Sequence, residues 1–383
     1  MLQVPGWNLG LRGEVLGRDA LPMLVPAWQD LCGRAAEDNV YYSPRYACAL
    51  LDSVERDKNV SFAVVWDQSS LVALLPFTRP AFRIPVLQPA ARAWLTKYTF
   101  SCMPLLDRER KTDAAGVLLD VLASISPSEW IIPTVNVQGD ACQSLVAILA
   151  QRGLPWTIVE QFQRAILETD ETFDDYVKRH VSPKRLKGLS RNRRRLEELG
   201  KVEHQTHRFG DGLDRAVAAF LEIEASGWKG KRGTALACDE RTKQFALDAF
   251  TGGEARSICR ADVLTLDGKA IAVSLVALSG RTGFAVKSCY DETYRSQCAG
   301  LLVELELVRS FLSEKWAKRL DSATAGAHVL DELWSGRVEV GDLIFSLAPR
   351  CPWPRLSALR ATDRTTRKIR AGLKRALTRL RPT

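Results

Sequence analysis

The stretch from Ile258 to Gly326 constrains the fold most, because it runs without a break through strand, tight turn, strand, turn, strand, loop, long helix and strand. Ala261–Leu266 and Lys269–Leu278 are β-prone runs joined by Asp267-Gly268, a dipeptide that tolerates the positive φ angles of a two-residue hairpin. After Ser279–Thr282 comes a third run, Gly283–Tyr290, which closes on Asp291-Glu292 and the polar loop Thr293–Ala299. From Gly300 the apolar residues Leu301, Leu305, Val308 and Leu312 fall at helical spacing, with Glu304, Arg309 and Ser313 between them. Lys315, Lys318 and Arg319 suit the helix C-terminal end, and Leu320-Asp321 opens another extended segment.

A strand that passes through a loop straight into a helix presents unpaired backbone N–H groups and the positive helix end to whatever occupies the loop, a natural anion site. Arg295-Ser-Gln-Cys-Ala-Gly300 fills that loop. It resembles the pyrophosphate loop of the GNAT acetyltransferases, in which Arg or Gln is followed by two residues, Gly, one residue, and Gly or Ala; Cys298 stands where the pattern has its first Gly. The resemblance implies that an acyl-coenzyme A, acetyl-CoA or a longer one, binds as co-substrate. Arg295, Ser296, Gln297, Cys298, Ala299, Gly300 and Leu301 are then its binding residues, and no metal is required.

Two further segments are similar to the CelD-like or BioF2-like branch of that superfamily, which is associated with polysaccharide synthesis. One is Glu222–Leu236, with Tyr290-Asp291-Glu292; the other is the basic helix-forming stretch Ser182–Val202. Together the likeness covers about residues 160 to 347. It implies direct attack of an acceptor amine or hydroxyl on the thioester, which needs a base for the acceptor proton, a donor to the developing oxyanion and an acid for the departing thiolate. Asp291 and Asp321, ending neighbouring strands around the loop helix, are the candidate bases, with a plain turn or cap role as their other reading. Tyr290 and Tyr294 flank the loop as candidate phenol donors or as buried aromatics. Glu224, Trp228 and Lys229 are expected on the acceptor side.

At 383 residues the chain exceeds what one compact core usually holds. The first half repeats the order of the second: a helical pattern over 19–36, hairpin strands Val60–Trp66 and Leu71–Phe77 around Asp67–Ser70, then helix Thr112–Ser124, strand Trp130–Val137 and helix Ala141–Arg152. The expected fold is α/β: two tandem GNAT-like domains, each a mixed, mostly antiparallel sheet with helices on both faces. The N-terminal domain spans 1–160, the C-terminal domain 161–350, and a basic tail 351–383, with the junction near residues 153 to 170. The first half offers no phosphate loop, since Phe100-Ser-Cys-Met-Pro104 has no glycine, so it is expected to shape the acceptor side. The two domains are expected to meet face to face around the cleft.

The nine cysteines contain no Cys-x-x-Cys pair and the four histidines form no ligand pattern, which argues against a disulfide framework or a zinc site. No apolar run reaches the ~18 residues of a membrane span, and the N-terminus lacks a signal-peptide pattern, so a cytoplasmic location is expected. Of the net charge of +9, residues 363–383 carry +7, and Ile369, Leu373, Leu377 and Leu380 recur there at helical spacing. That tail suits either peripheral contact with anionic membrane or docking on its own domain. Between Lys184 and Lys201 eight basic residues face two glutamates; a solvated helix face and a phosphate-attracting surface are both compatible, while no nucleic-acid module accompanies it. The partner expected is a small-molecule or glycan acceptor: a sugar, sugar nucleotide or envelope polysaccharide precursor. A Fem-like aminoacyl-tRNA-dependent transferase and a non-catalytic component of polysaccharide synthesis are the alternatives.

Overall fold

The structure is a computed structural model that describes residues 10–79, 90–125, 128–254, 257–324 and 328–348. The basic tail 363–383, with its expected membrane contact, lies outside the described residues. In chain order the first half comprises β1 (Leu11–Leu16), α1 (Leu21–Arg34), α2 (Pro44–Asp52), β2 (Val60–Asp67), β3 (Ser70–Thr78), β4 (Ala91–Ala93), β5 (Leu105–Leu106), α3 (Lys111–Ala123), β6 (Glu129–Asn136), α4 (Asp140–Gln151) and β7 (Trp156–Leu167). The second half comprises α5 (Phe173–His180), α6 (Pro183–Glu197), β8 (Val202–His207), α7 (Gly210–Ser226), α8 (Trp228–Lys231), α9 (Glu240–Phe250), β9 (Cys259–Leu266), β10 (Lys269–Ser279), β11 (Thr282–Tyr290), α10 (Ala299–Glu314), β12 (Arg319–Asp321) and β13 (Gly336–Ser346). Among the described residues no helix is long and apolar enough to cross a membrane.

The thirteen strands of the described residues join one mixed sheet in the order β1-β2-β3-β4-β6-β13-β7-β12-β11-β10-β9-β8, with β5 beside β3. The halves are α/β units of matching plan. In each, an antiparallel meander ends in a parallel step, β4 with β6 in the first and β11 with β12 in the second. Each parallel step is bridged by one long helix, α3 and α10 respectively. The halves continue into one another edge to edge rather than meeting face to face. The reason is reciprocal: β7, the last strand of the first half, pairs with β12, while β13, the last strand of the second, pairs with β6, and β7 and β13 pair together in the middle. The region expected as a junction near 153–170 is therefore largely a strand.

Alternation along the central strands sends side chains to two sides. On one side Val263, Val273 and Leu275 pack with Val217 and Phe220 of α7 in a core that continues through α1, α2, α3 and β1–β3. On the other, Leu264, Ile271 and Val276 pack with Leu307 and Phe311 of α10 and with α5 and α6. The halves are also pinned by aromatic contacts, Tyr46 with Phe245 at 5.2 Å and Tyr41 with Phe284 at 5.5 Å between ring centres.

Candidate active site

The sequence places an opening in the sheet of the second half. Strands β11 and β12 pair only from Thr282↔Arg319 to Phe284↔Asp321, after which β11 runs on to Tyr290 without β12. Opposite β10 the pairing shifts between Leu275↔Lys287 and Val276↔Ala285, so Val286 is an extra residue in β11. Such a bulge kinks the strand and leaves backbone groups outside the ladder, as is common beside active sites.

The splayed strands border two connected spaces. An inner chamber of about 430 Å³ lies between the halves, lined by Tyr46, Lys97 and Tyr98 from the first and by Lys287, Ser288 and Ala323 from the second. An outer groove of about 520 Å³ runs past Trp228, Tyr290, Arg295, Cys298 and Gly300. Lys229, Ser288, Glu304 and His328 line both, which makes them one continuous cleft.

The outer end is the expected anion loop. Residues Glu292–Gln297 form a 3₁₀ turn, Cys298 turns left-handed at φ 55°, and α10 starts at Ala299. Leu301 and Leu302 donate back to the Cys298 carbonyl at 2.9 and 3.1 Å, so the N–H groups of Ala299 and Gly300 precede the first bonds of the helix. Gly300 lies against Tyr290, whose ring would be 2.7 Å from a Cβ added there. The left-handed turn at Cys298 is a conformation that favours glycine, and a side chain there costs about 1–2 kcal/mol. Cys298→Gly is expected to raise stability by about 0.5–1 kcal/mol, since glycine's extra unfolded-chain freedom offsets part of that relief. Equilibrium urea denaturation measures it, and an unchanged or lowered midpoint contradicts the strain.

Glu304, one turn into α10, is a functional candidate that the sequence pattern did not single out. Helical spacing set it among the polar positions, yet it stands four before Val308, on the stripe that faces the sheet, and is 3% exposed. Its carboxyl lies beside the Ser274 and Ser288 hydroxyls, a cross-strand pair of β10 and β11, and its Oε2 has no hydrogen-bond partner among the described residues. Burial pushes its pKa up to about 7, the two serines pulling it only part of the way back. A carboxyl whose pKa is raised to about 7, with one oxygen unpartnered among the described residues at the cleft wall, has the properties of a general base.

Glu224 is buried under the cleft and bonded to Lys229 Nζ at 2.8 Å and to the Leu236 N–H at 2.8 Å, with Lys287 Nζ at 3.7 Å. Burial pushes its pKa up, but the two ammonium groups and the Leu236 N–H outweigh that and hold it low. It therefore stays charged and organises the lysines. Gly230 lets α8 close onto α7, since a Cβ there would sit 1.7 Å from the Ala225 carbonyl oxygen. Trp228 is half exposed, with the Arg232 guanidinium 5.1 Å from its ring centre. His328, also missed, caps the 3₁₀ turn Val329–Glu332 with Asp331, and burial lowers its pKa.

The structure brings Tyr290, Arg295, Cys298, Gly300, Leu301, Glu224, Trp228 and Lys229 to the groove. Ala299 is buried at the helix start, while Ser296 bonds the Gln297 side chain at 2.7 Å on the outside of the turn. Tyr294 packs on the α10 core. The two aspartates do not face this cleft. Asp291 caps the 3₁₀ turn through the Thr293 N–H at 2.9 Å. Asp321 accepts from the Ala323 N–H at 2.7 Å, stands 3.7 Å from the buried Arg164, and lines a separate crevice with Glu37 and Arg319. Strand ends supply the backbone N–H groups that carboxylates cap, and here that local bonding takes both side chains.

Residues 183–328, from α6 to His328, match the family described as an acetyltransferase (GNAT) domain. Over that span the second half is similar to a GNAT acetyltransferase domain, a likeness that supports an acyltransferase. Three solved structures share the overall fold. A conserved protein of unknown function from Bacteroides thetaiotaomicron aligns over 87% of this chain and 100% of its own at 13% identity, TM-score 0.55. FemX aligns over 84% and 96% at 11% identity, TM-score 0.55. The C-terminal domain (DUF2156) of a putative lysylphosphatidylglycerol synthetase from Agrobacterium fabrum aligns over 86% and 93% at 11% identity, TM-score 0.52. No curated protein matches the chain.

Proposed function

We propose that the protein is an acyl-CoA-dependent acyltransferase of the CelD-like or BioF2-like kind, moving an acyl group, acetyl in the first instance, to an amine or hydroxyl of a sugar, sugar nucleotide or envelope polysaccharide precursor. The observation that supports this is Glu304, a buried carboxyl with its pKa raised to about 7 and its Oε2 unpartnered among the described residues, at the point where the outer groove opens into the inner chamber. The α10 N-terminus and Arg295 suit a pyrophosphate, and Arg185, paired with Glu332, stands on the same rim. Bound there, acyl-CoA supplies the thioester. Glu304 takes the acceptor's proton as its nitrogen or oxygen attacks. A backbone N–H left out of the ladder at the Val286 bulge is the proposed donor to the developing oxyanion. Tyr290, beside Gly300, is the phenol for the departing thiolate.

Calorimetric titration with acetyl-CoA and longer acyl-CoA species tests the reading. Arg295→Ala is expected to lose a charge-assisted contact of about 1.5–3 kcal/mol, roughly ten- to a hundredfold in affinity. Gly300→Val places branched carbons against Tyr290 and is expected to abolish binding. Absence of submillimolar acyl-CoA binding, or wild-type affinity in Gly300→Val, sinks the reading in favour of the Fem-like or non-catalytic alternative.

A further inference from the structure

The inner chamber has a charge imbalance that acyl transfer alone does not require. Lys97, Lys229 and Lys287 all line it, and the nearest permanently charged carboxylate is that of Glu224. Glu224 pairs with Lys229 and Lys287, whereas Lys97 has no carboxylate partner among the described residues. Lys97 and Lys287 sit on the same ring, with Nζ 4.8 and 5.6 Å from the centre of Tyr98. Burial pushes the Lys287 pKa down; Glu224 opposes this, while the Lys229 and Lys97 charges push the same way as burial. Glu304 also lines the chamber with a pKa raised to about 7, so Glu224 and a partly ionised Glu304 stand against three ammonium groups and the chamber keeps a net positive charge that an anion would balance. The rings of Tyr46, Tyr98, Phe100, Phe245 and Phe250 also line the chamber and give a substrate flat apolar contact.

Resting on the acyltransferase reading, we propose that the acceptor is itself an anion, whose carboxylate or phosphate group seats between Lys97 and Lys287 while its amine or hydroxyl reaches Glu304. The aromatic walls then hold the body of the acceptor, and the lysines fix which end faces the base. Neutral molecules of the same shape are disfavoured because they cover Lys97 without giving it a counter-charge.

Matched probes test this by calorimetry: D-glucosamine against D-glucosamine 6-phosphate for a phosphate, and glycinamide against glycine for a carboxylate. In at least one pair the anion-bearing member is expected to bind about tenfold tighter or more, the scale of one charge-assisted contact. The gap should shrink to about threefold or less in Lys97→Met and return in Lys97→Arg, whose charge is restored. Lys97 is exposed at the chamber mouth, so these variants should fold. Equal binding within both pairs, binding by none of the probes, or a gap that survives Lys97→Met overturns the proposal. Acetyl-CoA titrated into the same protein separates the two failures. Cofactor binding without anion preference defeats this inference alone, and anion preference without cofactor binding keeps it while defeating the transferase reading.

Discussion

Glu304→Gln is expected to produce a protein that is nearly inactive and, at pH 8, more stable than its parent. The folded protein holds the Glu304 proton with a pKa of about 7 against 4.5 when exposed. The unfolded chain therefore binds fewer protons than the folded one between those values, and stability falls as pH rises through that window. Above pH 7 the full cost of ionising a buried carboxylate is present, about 3 kcal/mol for a shift of that size. Below about pH 4.5 both states are protonated and the cost is gone. Glutamine fills the same volume and never ionises, so the gain should appear at pH 8 and vanish near pH 4.5. Loss of a general base costs about 10²- to 10⁴-fold in turnover, and the parent's rate should climb with pH to a plateau above 7. Thiol release from acetyl-CoA and urea midpoints at the two pH values measure both effects. A glutamine variant with more than a tenth of parental turnover would remove Glu304 from the mechanism.

The second large effect concerns Glu224. Glu224→Leu is expected to destabilise the fold by about 3–5 kcal/mol at pH 7.5, because Lys287 is left buried beside Lys229 without its counter-charge. Since the Glu224 pKa is held low, its contribution is present above its exposed value of 4.5 and is lost as pH falls through the depressed folded value. Adding Lys287→Met to Glu224→Leu should recover much of the loss, because the unpaired charge goes with it. Denaturation of the four proteins of this cycle gives the coupling directly. Additive losses would show that the charges do not depend on one another.

Local chemistry was legible in the sequence where a short segment decides its own shape. Asp267 and Gly268 adopt φ of 49° and 79°, as their hairpin demanded, and the loop before α10 forms where Arg295–Gly300 announced it. Strand β13 escaped because its partners, β6 and β7, lie far upstream and no local turn marks its place. Strand β7 passed for a connection for the same reason. Glu304 escaped because a charged residue inside a helical period is assigned to the wet face by default. Only its registration with Leu301 and Val308, three and four residues away, points inward. Asp291 and Asp321 show the converse: carboxylates at promising positions whose own backbone surroundings occupy them.

The reciprocal exchange of β7 and β13 makes the fold a matter of timing as well as of geometry. As the chain is synthesised, the first half emerges with its helices and meander complete but with β6 waiting for a neighbour that is made last. β7, meanwhile, has nothing on either flank. Pairings such as Ile132 with Leu343 close loops of some two hundred residues, the kind of contact that slows folding because chain entropy is surrendered before the contact rewards it. The cleft inherits this order. Its inner chamber needs Tyr98 from early in the chain and Lys287 from late in it, so reactive geometry first exists when the sheet is sealed, and a partly made chain has no site to misuse.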